Sequence, residues 1–140
     1  EAILDEWALH IRRNYIEDDE LKEDADLNEM SVDQYLREYI IPQETEHLGP
    51  TARSADIAEI LVADLLEFIM GYTVPRFKLK NRSGKNNSQQ GTDVIAYKYK
   101  NSDKSPSNKD ELIAAEVKAS LSNNQYTPLE NAIIPSGAVN

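Results

Sequence analysis

A chain of 140 residues and 15.8 kDa is long enough for one globular domain and hardly two. Its 40% hydrophobic and 29% charged residues, with 5 Gly and 6 Pro, exclude collagen-like and low-complexity architectures. The absence of cysteine excludes disulfide frameworks, thiolate zinc sites and cysteine nucleophiles, and fits a reducing, cytoplasmic setting. The longest apolar stretch, residues 57–70, is interrupted by Glu59, Asp64 and Glu67, so it does not read as a membrane span. No signal peptide is visible. Because the chain opens at Glu1 without a methionine and stops at Asn140 in mid-pattern, it reads as an excised fragment, truncated at the C-terminus.

The net charge of −10 conceals an asymmetry. Residues 1–70 carry 5 basic and 19 acidic side chains, a balance of −14, whereas residues 71–140 carry 10 basic and 6 acidic, a balance of +4. Eight of the carboxylates fall in residues 16–29 against the single Lys22, a block that repels itself and reads as a solvated surface or loop. The basic half concentrates Arg76, Lys78, Lys80, Arg82 and Lys85 within ten residues. Screening limits long-range repulsion to roughly 8 Å, so a local basic surface can hold phosphates on a protein of low pI. Lys78, Lys80, Arg82 and Lys85 are the candidate nucleic-acid contacts.

In chain order, Ile3, Leu4, Trp7, Ala8, Ile11 and Tyr15 recur at helical spacing and predict an amphipathic helix. After the acidic block, Ser31 is a good N-cap for a helix carrying Val32, Tyr35, Leu36, Tyr39 and Ile40, which Pro42 stops after Ile41. Residues 43–52, with Gly49 and Pro50, read as a loop. A third helix is predicted from near Ser54, apolar on nearly every side and therefore buried on more than one face, with Gly71 placed to end it. The period then changes to two. Residues 73–80 predict an edge strand because of Pro75, residues 92–100 a second strand and residues 111–120 a third, joined by polar turns. Residues 128–134 read as the start of another helix. The expected class is mixed α/β (α+β), with a helical extension over residues 1–50 and a core over residues 51–140.

The third strand carries Glu116-Val117-Lys118. Period-two geometry sets Ile113, Ala115 and Val117 toward a core and Ala114, Glu116 and Lys118 on the opposite face. A carboxylate and an ammonium on one strand face are costly unless something uses them. Asp93 opens the preceding strand, and a hairpin joining the two strands can bring Asp93 toward Glu116. Two converging carboxylates repel unless a cation lies between them, and Mg2+ takes such oxygens while keeping several waters. Lys118 can orient or deprotonate a water beside them, and Glu59 on the buried helix can reach the same cluster.

An acid on a helix, then Gly91-Thr92-Asp93, 22 intervening residues, and Glu-x-Lys resemble the PD-(D/E)XK nuclease superfamily. The segments ARSADIAEILVADLLEFIMGY, FKLK, GTDVIAY and ELIAAEVKAS cover about half the chain. They are similar to the nuclease subunit of the Hachiman anti-phage defence system, whose partner is a helicase. The resemblance implies a restriction-endonuclease-like core of helix, three-strand meander and start of a second helix, cut short at its end. It implies that Asp93 and Glu116 ligate Mg2+ (or Mn2+), that Lys118 acts on the attacking water, and that Glu59 is the helix acid. Thr92 stands where the family pattern has Pro. The function so implied is hydrolysis of phosphodiester bonds, of DNA, in defence or restriction, with no membrane involved.

Blander readings stand beside these. Glu116 and Lys118 also fit a same-side ion pair on an exposed sheet face, Asp93 fits turn chemistry after Gly91, and Glu59 fits a solvated stripe with Asp56 and Arg53. The cations of residues 76–85 fit a solvated strand face, and Tyr97 and Tyr99 fit packing. Whole-chain alternatives are a catalytically inactive scaffold and an acidic module that binds a basic, helicase-like partner. The absence of GxGxxG, GxxxxGK[ST] and GxSxG disfavours dinucleotide, P-loop and α/β-hydrolase chemistry.

Overall fold

The computed structural model describes residues 1–87 and 89–119. The helix expected over residues 128–134 lies outside them. The protein is of the α+β class, and its contacts group it into two compact units. Unit 1 comprises Glu1–Asp56 with Arg76–Gln90, and unit 2 comprises Ile57–Pro75 with the chain from Gly91 onward.

In unit 1, α1 (Ala2–Arg13) forms where the apolar periodicity predicts it, but none of its residues is buried. The acidic block, expected as a solvated surface or loop, instead forms α2 (Asp18–Leu27). Two features favour a helix there. Asp18, Asp19 and Glu20 occupy its first turn, where carboxylates meet the positive end of the helix dipole, and Leu21 and Ala25 bury one face at i, i+4 spacing. Ser31 caps α3 (Val32–Tyr35) by accepting from the Gln34 N–H at 3.2 Å. The chain then widens into a π-helical turn, Leu36–Ile40, with Ile41 N–H donating to Leu36 O at 2.8 Å, before fully buried Pro42.

The next helix, α4 (Gly49–Asp64), starts earlier than Ser54. Pro50 suits a first helical turn, since its missing N–H would have no intrahelical acceptor there. A Cβ at Gly49 would sit 1.7 Å from the Gln43 carbonyl oxygen, so glycine is needed for this approach. The helix runs into unit 2 and ends in a second π-helical turn, Leu65–Ile69. Gly71, at φ +72°, closes it as predicted, with Tyr72 N–H donating to Leu66 O at 2.9 Å. Burial on more than one face is not found among the described residues. Ala63 and Leu66 are buried, whereas Leu61, Leu65, Phe68 and Ile69 are exposed.

Two strands, β1 (Val94–Lys98) and β2 (Glu111–Ala115), pair antiparallel with Val94 opposite Ala115 and Lys98 opposite Glu111. The first of the three expected strands is reduced to one bridge between Thr73 and Tyr97. Pro75 is the physical reason. It has no N–H to extend the ladder, and from Arg76 the chain belongs to unit 1. The unit 2 core consists of Ala63, Leu66, Val74, Val94 and Ala96, with Ile113, Ala115 and Val117 packed against it. That is the inward set that period two predicted, while Ala114, Glu116 and Lys118 are exposed.

Candidate functional site

Within unit 2, the ladder ends with Val94 opposite Ala115, so Asp93, just before β1, and Glu116, just after β2, lie at the same end of the sheet. The ladder itself stops at Ala115, so Glu116 and Lys118 lie just past β2 and not within a strand reaching Ser120. Asp93 supplies the reason. Its Oδ2 accepts the Val117 N–H at 2.7 Å, so a carboxylate replaces a main-chain acceptor at the end of the sheet. The same bond fixes the half-buried Asp93 carboxylate beside the backbone that carries Glu116 and Lys118.

Lys118 Nζ donates to Glu116 Oε1, an ion pair whose side chains are 36% and 39% exposed. The hydrogen bond it donates to Glu116 raises the lysine above its ordinary value of 10.5, and the charges of Glu116, Asp93 and Glu59 add to the rise against the effect of burial. Three carboxylates, from α4, from the start of β1 and from the end of β2, thus act on one ammonium. Lys118 is consequently a firmly charged group near neutral pH. It can donate hydrogen bonds and neutralise anionic charge, whereas acting as a base requires it first to lose its proton.

Asp93 and Glu116 offer hard oxygen donors from two carboxylates. Mg2+ characteristically uses one or two carboxylates and completes its octahedron with water and phosphate oxygens, so the donor chemistry fits that ion. Among the described residues, no group of three or more His, Cys, Asp or Glu side chains is placed to hold a metal. Any ion here would therefore rest on two protein carboxylates and on water.

The other named cations lie in unit 1 and meet that unit's own acids. Lys80 pairs with Glu17, and Lys85 pairs with Glu46 while donating to the Arg37 carbonyl at 2.7 Å. Arg82 pairs with Asp56, the two side chains 8% and 5% exposed, and also donates to the Lys85 carbonyl. Lys78 is half-buried in the same segment. Asp56, read from sequence as part of a solvated stripe with Glu59 and Arg53, is instead buried and accepts from the Tyr15 hydroxyl at 2.9 Å. Burial, followed by the charge of Asp56, pushes that hydroxyl well above its ordinary value of 10, so it stays a donor.

Sequence reasoning did not find the Val117 amide as the group that aims Asp93, because a backbone N–H has no residue-type signature. Nor did it find the Tyr15–Asp56–Arg82 network. A tyrosine and an arginine separated from one aspartate by 41 and 26 positions leave no local pattern.

The molecule is thus an α+β protein in which a lysine just past a small antiparallel sheet pairs with one carboxylate, beside a backbone amide that donates to a second. Comparison with protein families matches residues 1–134 to HamA. The chain belongs to that family, the nuclease-subunit family of the Hachiman anti-phage defence system, and the PD-(D/E)XK resemblance agrees with the match. Its members serve that defence together with a helicase-like partner. No curated protein and no solved structure matches significantly. Among the described residues, no helix is long and apolar enough to cross a membrane.

Proposed function

We propose that this chain carries the phosphodiester-hydrolysing site of its defence system, with DNA as the substrate, Asp93 and Glu116 as ligands of Mg2+ (or Mn2+), Lys118 beside the attacking water, and Glu59 as the helix acid. One observation carries the reading. Asp93 accepts the N–H of Val117, the residue between Glu116 and Lys118, while Lys118 pairs with Glu116 and feels the charges of Asp93 and Glu59. On this reading the helix, the hairpin and the Glu-x-Lys segment belong to a restriction-endonuclease-like core.

When bound, the divalent ion would supply charge neutralisation at the phosphoryl oxygens. Lys118, kept protonated by its surroundings, would donate to a non-bridging oxygen and hold the water in line with the scissile bond. The water oxygen bonds to phosphorus as the bond to the leaving sugar oxygen breaks, and the water's proton passes to solvent. Asp93 is held for its role by the Val117 amide, and Glu116 by Lys118. The basic segment has a subordinate part. Lys78, Lys80 and Lys85 would contact phosphates, Lys80 and Lys85 after giving up their partners Glu17 and Glu46, whereas Arg82 stays with Asp56.

The test is cleavage of DNA by the full-length protein with Mg2+. Glu116→Gln and Lys118→Met each lower the cleavage rate at least a hundredfold, while thermal unfolding stays within a few degrees of the parent. Intact cleavage in either variant refutes the assignment.

A further inference from the structure

The first two turns of α1 present an apolar stripe that nothing among the described residues covers. Ile3, Leu4 and Trp7 are 81%, 66% and 47% exposed. At helical spacing the stripe continues through Ile11 to Tyr15 and Ile16, which are buried, so the open turns project from an anchored base. Arg12 strengthens the base by donating to the Ile16 carbonyl at 3.0 Å. The open side chains recur in the i, i+3, i+4 pattern with which an amphipathic helix seats in a groove.

Charge narrows what that groove can be. Glu6 flanks one side of the stripe, and Glu1 flanks the other. The arginines at the far end of the helix are already engaged, since both Arg12 and Arg13 pair with Asp18. An acidic rim repels nucleic acid and anionic lipid headgroups. It also repels a second copy of itself, whose matching arginines are equally occupied. A protein surface with an apolar groove bordered by Lys and Arg is the complementary occupant.

We infer that the exposed stripe of α1, Ile3, Leu4 and Trp7 between Glu6 on one side and Glu1 on the other, is the docking helix for a basic, groove-bearing protein partner. The inference rests on the reading that the chain works with a helicase-like partner, and it places that contact on unit 1.

The experiment measures calorimetric binding of the full-length protein to the helicase-like partner of its system. Ile3→Gln, Leu4→Gln and Trp7→Gln keep helix propensity and charge. Combined, they lower affinity at least tenfold with unfolding unchanged. The charge-only variant Glu1→Gln, Glu6→Gln lowers affinity and flattens its dependence on salt. If the parent binds and the apolar variant binds equally well, the docking helix is refuted while the partner reading stands. If the parent does not bind at all, the partner reading falls and the docking helix with it. A parent dimer that the apolar variant abolishes, or parent binding to phosphatidylserine vesicles, assigns the stripe to a different occupant and overturns the proposal.

Discussion

Unit 1 and unit 2 are stabilised by different physics. In unit 1 the basic segment Arg76–Gln90 meets acids of Glu1–Asp56 one by one: Lys80 on Glu17, Lys85 on Glu46, and Arg82 on buried Asp56. Unit 2 has an apolar core of Ala63, Leu66, Val74, Val94 and Ala96, and carries the Lys118–Glu116 pair just past one end of its sheet. The basic segment of the first unit is answered within the fold. In the second, Lys118 pairs with Glu116 while Asp93 accepts from the Val117 amide. The difference teaches that the density of cations in a sequence is a poor locator of an anion-binding site. Lys80, Arg82 and Lys85 are committed to structure, while the proposed site draws on the sparser Glu59, Asp93, Glu116 and Lys118.

The contrast is broken most severely at Asp56. Asp56→Ala leaves the Arg82 guanidinium buried without its carboxylate and the Tyr15 hydroxyl without its acceptor, at a cost of about 3–5 kcal/mol. Urea unfolding reads the loss, and amide hydrogen exchange is expected to show protection falling in unit 1 first. An effect below about 1 kcal/mol, within the range of exposed ion pairs, would mean that this pair behaves like a surface one.

Leu66→Ala is the counterpart in unit 2. Removing a buried leucine from a packed core costs about 2–5 kcal/mol according to how far the cavity collapses. Hydrogen exchange is expected to show the loss around β1 and β2, with the amides of α2 retained. Equal loss in both places would show that the two units unfold as one.

Acid sharpens the comparison by a smaller effect. Hydrogen bonds from Arg13 and Arg12 hold Asp18 at about 2 against an ordinary 3.8. The Gln43 amide, followed by Lys85 and Asn86, holds Glu46 at about 2 against 4.5. Both folded values are depressed, so their stabilisation is complete above the ordinary values and is lost as pH falls through about 2. Melting temperature is expected to decline through that window, and Asp18→Asn with Glu46→Gln to flatten the decline. An unchanged slope in the double variant would remove these groups from the acid response of unit 1.

Much of the local architecture is legible because its causes are local. The Ser31 cap and the Gly71 stop each depend on a residue or two, and the inward set of Ile113, Ala115 and Val117 follows from alternating apolar positions. Elsewhere the deciding contacts are remote. Pro50 and Gly49 look like loop residues until Gln43 is seen to demand a glycine and α4 to begin at a proline. Residues 76–80 alternate like a strand, yet Lys80 is drawn to Glu17, 63 positions earlier. The acidic block hides a helix because Leu21 and Ala25, only two apolar positions, suffice to bury one face. Of the cluster, the residue types are readable, but the bond that aims Asp93 comes from a main-chain amide.

The central claim, that Asp93 and Glu116 form one divalent-ion site beside Lys118, is tested most directly by titrating the full-length protein with Mn2+ and following the free ion by electron paramagnetic resonance. The account predicts saturable binding that Asp93→Asn and Glu116→Gln each abolish, that Mg2+ competes away, and that Glu17→Gln in unit 1 leaves unchanged. Manganese binding that survives both substitutions, or that is absent from the parent protein, would contradict it.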